Sequence, residues 1–146
     1  MNIGTYLDSS GLFKNDGWKP EAYEIPMGKV LLIGVPAAFS PGCTNRHLPE
    51  FAQNMDRLKD YKVIFLSVET PYTMKAWNDQ HGHEDIDSVG DPIGDFIKRL
   101  DELYGDWEQI MGPSCNRFAY LVEDRVVIKK FDEPWFNDVA NQLGDG

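Results

Sequence analysis

The stretch Lys29-Val30-Leu31-Leu32-Ile33-Gly34-Val35-Pro36-Ala37-Ala38-Phe39-Ser40-Pro41-Gly42-Cys43 decides how the rest of the chain is read. Its first half is a near-continuous apolar run, the pattern of a strand buried on both faces. Its second half gathers two prolines, a glycine and a serine before a cysteine that opens a helical pattern. A thiol at a helix start lies beside backbone N–H groups that no intrahelical carbonyl uses, at the positive end of the helix dipole. Both favour thiolate over thiol. A lone cysteine after a buried strand is more often a small core hydrophobe, and Pro-Gly is ordinary connector chemistry. The spacing Pro36-x-x-x-Ser40-x-x-Cys43, which brings a hydroxyl near an N-terminal thiol, is what argues for reactivity.

Downstream, Leu48, Phe51, Ala52, Met55 and Leu58 make a one-faced helical stripe from Cys43 to Lys59. Pro49 within it frees the carbonyl of Asn45 and is expected to kink the helix after its first turn. Val63 to Val68 reads as a second buried strand and Pro71 to Gln80 as a helix. Asp85 to Gly94 has strand and turn character around Asp91-Pro92, Phe96 to Leu103 reads as a short helix, and residues 104–116 as a loop. Arg117–Val122 and Val126–Phe131 form a hairpin about Glu123-Asp124-Arg125, and a helix closes the chain from Pro134 to Leu143. Residues 1–28 are irregular, with Ala22 to Ile25 a short strand expected to pair with the next one. Buried parallel strands joined by helices, followed by a hairpin, imply an α/β protein: a thioredoxin-like mixed sheet with helices on both faces.

The 146 residues suffice for one domain with a real core, residues 1–146, and 42% hydrophobic content is that of a globular chain. The net charge of −10, from 14 basic and 24 acidic residues, repels phosphate backbones and anionic lipid. Neither nucleic acid nor membrane is therefore an expected partner. Two cysteines, Cys43 and Cys115, make no disulfide framework, which suits a reducing compartment. With no secretory signal and no bilayer-length apolar run in the sequence, a cytoplasmic location is expected.

Gly34 to Cys43 followed by His47-Leu48-Pro49 resembles the active-site loop of the peroxiredoxins, and more narrowly their five-type (type II, atypical) subfamily. Leu66-Ser67-Val68, Met74-Lys75-Ala76-Trp77, Asp91-Pro92 before Gly94-Asp95-Phe96, and Arg117-Phe118 extend the likeness over residues 27 to 131. The resemblance implies that Cys43 is the peroxidatic nucleophile. It implies that Ser40 hydrogen-bonds the peroxide, that Pro36 shields the sulfur and that Arg117 sits beside it. It also implies reduction of hydrogen peroxide and organic hydroperoxides through a Cys43 sulfenic acid. No cofactor and no metal are implied.

Five-type relatives with a resolving cysteine keep it in regions where this chain has none. The expected reductant is therefore an external thiol, glutathione with glutaredoxin or thioredoxin, with Cys115 an auxiliary thiol or an inert buried one. The family often dimerises beside the active-site loop, which makes a homodimer the expectation, with Phe39, Trp77 and Pro92 in the bordering segments. His47 reads as a hydrogen-bonding or loop-positioning residue, and His81, His83, Glu84 and Asp85 as a solvated loop. Glu69-Thr70 and Arg125 depart from the family pattern. Two other readings of the same fold are a disulfide oxidoreductase, disfavoured by the lack of Cys-x-x-Cys, and a non-catalytic redox-sensing or holdase module.

Overall fold

In the computed structural model, which describes residues 2–104 and 112–143, β3 (Lys29–Gly34) lies at the heart of a seven-stranded sheet. It pairs in parallel with β4 (Lys62–Ser67) and antiparallel with β8 (Phe118–Glu123). The order is β2-β1-β5-β4-β3-β8-β9, with β5 (Ile86–Gly90) parallel to β4 and β9 (Val126–Lys130) antiparallel to β8. A separate two-stranded sheet joins β6 (Leu103–Tyr104) to β7 (Ser114–Cys115). This is the mixed α/β, thioredoxin-like arrangement that the strand pattern implied.

The apolar run of β3 serves two cores because successive side chains point to opposite faces. Leu31 and Ile33 join Phe65, Trp77, Phe51, Phe136 and Val139 on one face. Val30 and Leu32 join Ile64, Leu66, Phe96, Tyr120 and Val122 on the other. The first face is covered by α1 (Leu48–Ala52), α2 (Pro71–His81) and α4 (Phe136–Leu143), the second by α3 (Asp95–Arg99) and the N-terminal segment.

Four expectations are corrected. β2 (Glu21–Ala22) pairs with β1 (Phe13–Lys14) and not with β3, whose two edges are already taken by β4 and β8. The helix expected from Cys43 to Lys59 is three pieces: a π-helical turn (Cys43–His47), α1, and a 3-10 turn (Met55–Leu58). Helix α3 stops at Arg99 because Asp101 adopts a left-handed φ of 60°, and Leu103 then enters β6. Strand β8 begins at Phe118, one residue after the expected Arg117, and Ser114–Cys115 of the expected loop form β7. Of the expected loop, residues 105–111 lie outside the described residues.

The β8–β9 hairpin turns on Asp124 and Arg125, both left-handed (φ 49° and 67°), as a two-residue turn of that twist requires. Arg125 occupies a glycine-favouring position because its guanidinium is tied down: Nε donates to Ile25 O at 2.7 Å and Nη2 to Glu24 at 3.1 Å.

Gly34 ends β3 where the backbone must pass close to two side chains. A Cβ there would run into the Phe118 ring and stand 2.8 Å from Cys115 Sγ. Gly34→Ala is expected to destabilise the fold by about 1–3 kcal/mol through overpacking. The urea midpoint of unfolding measures it.

Candidate active site

The loop that carries Cys43 is built around its own backbone. Ser40 O accepts the first helical hydrogen bond, from Thr44 N–H at 2.9 Å. Leu48 N–H then reaches back to Cys43 O, an i+5 bond that makes the turn π-helical. Pro49 follows in the first turn of α1, where its missing N–H and its ring discourage ordinary i−4 bonding to Asn45. The kink expected of Pro49 is realised as this wider turn. Phe39 holds a left-handed φ of 66° before Ser40, and the half-buried Glu69 carboxyl, pushed up by burial, accepts the Ala38 N–H. The Glu69 departure from the family pattern thus serves as a buttress of the loop.

Cys43 is fully buried, and its sulfur meets a cation. Arg117 Nη2 donates to Cys43 Sγ at 3.2 Å, while Nη1 donates to His47 Nδ1 at 2.8 Å. Arginine has no acceptor, so Nδ1 is the bare nitrogen and His47 Nε2–H donates to Pro134 O, 2.7 Å away. Burial, assisted by the Arg117 and Arg46 charges against the Pro134 bond, lowers the His47 pKa from 6.5 to about 3. A protonated His47 would have no lone pair for Arg117, so the neutral ring is the one that fits.

Trp135 completes the setting. Its ring lies 4.7 Å from the Arg117 guanidinium and 4.0 Å from that of Arg46, and 4.8 Å from the His47 ring. Gly42 leaves room for this approach, since a Cβ there would stand 3.3 Å from Arg117 Nη2. A guanidinium held from two sides is preorganised to meet negative charge on sulfur or on a leaving oxygen.

The other named residues fall around this core. Ser40 Oγ–H donates to Ala37 O at 2.7 Å, so its hydroxyl must rotate from that carbonyl to donate to a peroxide. Pro36 lines a cavity of about 450 Å³ together with Arg117, Cys115, Phe131 and Pro134. Cys115 is also fully buried, its Sγ–H donating to Asn116 O at 3.0 Å, and burial first, then the Glu102 charge, pushes its thiol up. Both cysteines are free. Cys43 packs in the core on one face of the sheet and Cys115 in the core on the other. His83 Nδ1 accepts Asp85 N–H at 3.0 Å, which makes a local turn of that loop. Trp77, expected beside the loop surface, is fully buried, and its Nε1–H donates to Thr44 Oγ1 at 3.1 Å. Sequence reasoning missed Pro134 and Trp135 as parts of the site, because their contacts with Arg117 and His47 join distant segments.

A thioredoxin-like sheet that presents a buried thiol to an arginine defines a thiol redox protein, and the comparisons narrow the class. The Redoxin family matches residues 13–143. The chain is 32% identical over 119 residues to the hybrid peroxiredoxin hyPrx5 of Haemophilus influenzae, covering 80% of this chain and 47% of that protein. It is 33% identical over 110 residues to Peroxiredoxin-2C of rice, covering 72% of this chain and 68% of that one. The crystal structure of peroxiredoxin 5 from Alvinella pompejana is similar at a TM-score of 0.83 and 25% identity, over 98% of this chain and 96% of that one. The chain belongs to the Redoxin family and, within it, to the peroxiredoxins of the five-type kind.

His47 carries a pH signature. The folded protein refuses a proton on this ring until about pH 3, whereas the unfolded chain takes one below about 6.5. Stability is therefore unaffected by His47 above pH 6.5 and is lost as pH falls, by up to about 1.4 kcal/mol per unit. Urea unfolding at pH 7, 6, 5 and 4 should show this slope, and His47→Gln should flatten it.

Proposed function

We propose that this chain is a thiol-dependent peroxidase with Cys43 as its only catalytic cysteine, regenerated by an external thiol. The observation that carries the reading is the 3.2 Å contact of Arg117 with Cys43 Sγ, held in place by His47 and Trp135. The thiolate attacks one oxygen of a hydroperoxide. An S–O bond forms as the O–O bond breaks, sulfur is oxidised to sulfenic acid, and the leaving oxygen takes a proton to depart as water or an alcohol. Negative charge spreads over both oxygens on the way. Arg117, the Cys43 backbone N–H and a rotated Ser40 hydroxyl are the donors available to it.

The second half of the cycle turns on Cys115. Packed in the opposite core as a protonated thiol, it is poorly placed to attack a Cys43 sulfenic acid without rearrangement. An external thiol instead displaces water from the sulfenic acid to give a mixed disulfide, and a second thiol frees Cys43. Glutathione with glutaredoxin, or thioredoxin, supplies such thiols. Hydrogen peroxide and organic hydroperoxides are the proposed substrates. A cytoplasmic setting accords with two free cysteines. A homodimer is supported by Phe39, Tyr72 and Ile93, which are 44%, 58% and 74% exposed in segments near the loop.

The test is peroxide turnover with each reductant system. Cys43→Ser is expected to abolish it, and Cys115→Ser to retain it. Arg117→Met is expected to slow peroxide reaction with the reduced enzyme by roughly a hundredfold or more. Unchanged turnover in Cys43→Ser would overturn the reading.

A further inference from the structure

Arg117 stands at a joint. Strand β7 ends at Cys115 in the small sheet and β8 begins at Phe118 in the large one, so Asn116 and Arg117 belong to neither. A residue outside both ladders takes its position from whatever else fixes the joint. That fixing comes from Glu102. Its carbonyl accepts Asn116 N–H at 2.7 Å, and its carboxylate accepts Asn116 Nδ2–H at 3.2 Å. The same carboxylate accepts Lys130 Nζ–H at 3.0 Å and a short hydrogen bond from Tyr120 OH.

These bonds tie three elements to one side chain: the joint, β8 through Tyr120 and β9 through Lys130. Glu102 is 4% exposed, and a carboxylate so buried is stable only with partners of this kind. Tyr120, whose own hydroxyl is pushed up by burial and by this carboxylate, stays a donor. No hydrogen bond of the network reaches Cys43, although Glu102, Asn116 and Lys130 line the cavity that Pro36 and Arg117 also line. What it reaches is the residue that precedes Arg117.

We propose that Glu102 is a positioning residue for peroxide reduction, holding the β7–β8 joint so that the Arg117 guanidinium meets Cys43. The guanidinium end of Arg117 is fixed by His47 and Trp135, and the backbone end by Glu102. Loosening either end lets the donors drift from where negative charge develops.

The proposal separates from its rivals by sign. Were Glu102 felt at the site only through its negative charge, removing that charge would strengthen the field of Arg117 and hold or speed the Cys43 reaction. Were it only a structural brace, its loss would lower the melting temperature while each folded molecule reacted as before. As a positioning residue, Glu102→Ala slows the reaction of folded, reduced enzyme with hydrogen peroxide by roughly tenfold to a hundredfold.

The experiment is stopped-flow peroxide reaction and iodoacetamide alkylation of Cys43, on Glu102→Ala, Glu102→Gln and Asn116→Ala, with melting temperatures alongside. Glu102→Gln keeps the shape and one acceptor oxygen, so it is expected to recover part of the rate. Asn116→Ala removes only the side-chain tie and is expected to slow both reactions while leaving the Tyr120 and Lys130 ties intact. In an Arg117→Met background the Glu102 substitutions are expected to cost nothing further, the mark of two residues acting through one contact. Should Glu102→Ala not fold, Glu102→Gln and Asn116→Ala decide. Unchanged or faster reaction in the folded variants, or an equal loss with Arg117 already removed, would overturn the proposal. It rests on Arg117 as the activating group: if Arg117→Met alone reacted normally, that reading of the site would fall, and the Glu102 result would not be its cause.

Discussion

A guanidinium facing a buried sulfur is the constraint on which this site depends. Arg117 offers a charge to Cys43, yet a free arginine would spread over many rotamers and hydrate its donors. Here the second donor is occupied by His47, the face by Trp135, and the backbone joint by Glu102. His47 in turn donates to Pro134 O, on the segment that leads into the closing helix, and packs against Trp135, Phe51 and Phe65. The C-terminal part of the chain is thus tied, through that imidazole and through Trp135 on Arg117, to the geometry of Cys43. A neutral ring is required for that tie, and burial supplies it.

The loop that carries the sulfur solves a second problem. A cysteine at an ordinary helix start followed by Pro49 would leave the proline ring pressed against the carbonyl of Asn45. The i+5 bond from Leu48 N–H to Cys43 O widens the turn. It also separates the thiol-bearing turn from α1, whose Leu48 and Phe51 remain fixed in the core. Before the turn, Phe39 is held in a left-handed conformation, with the Glu69 carboxyl on Ala38 N–H beside it. A conformation of that kind costs energy, and it persists where surrounding bonds over-determine it.

Much of this was legible in the sequence, for reasons that differ by element. The apolar run from Val30 to Val35 announced a strand buried on both faces, and the alternation of Leu31 and Ile33 against Val30 and Leu32 bears it out. Pro71 at a helix start and the hairpin about Glu123-Asp124-Arg125 follow from local patterning, which sequence carries directly. What sequence did not carry was long-range. Nothing in the spacing of Cys43, His47, Pro134 and Trp135 says that four positions so far apart share one guanidinium. The joint at Asn116–Arg117 was likewise invisible, because apolar patterning runs on from Phe118 and gives no mark of where one sheet ends. Local rules also overran α3, where a single left-handed Asp101 outweighed the apolar periodicity to Leu103.

The two cysteines show how position rather than residue type divides roles. Both are fully buried, so exposure does not distinguish them. Cys43 faces a cation at the start of a π-helical turn; Cys115 donates its S–H to a carbonyl and lies among carboxylates. The Glu102 charge that ties the joint near Arg117 also disfavours a thiolate at Cys115. One carboxylate therefore bears on both sulfurs, in opposite directions. Through the joint it holds the arginine that faces the first, and its charge disfavours a thiolate at the second, which accords with the proposed role of Cys43 as the sole nucleophile.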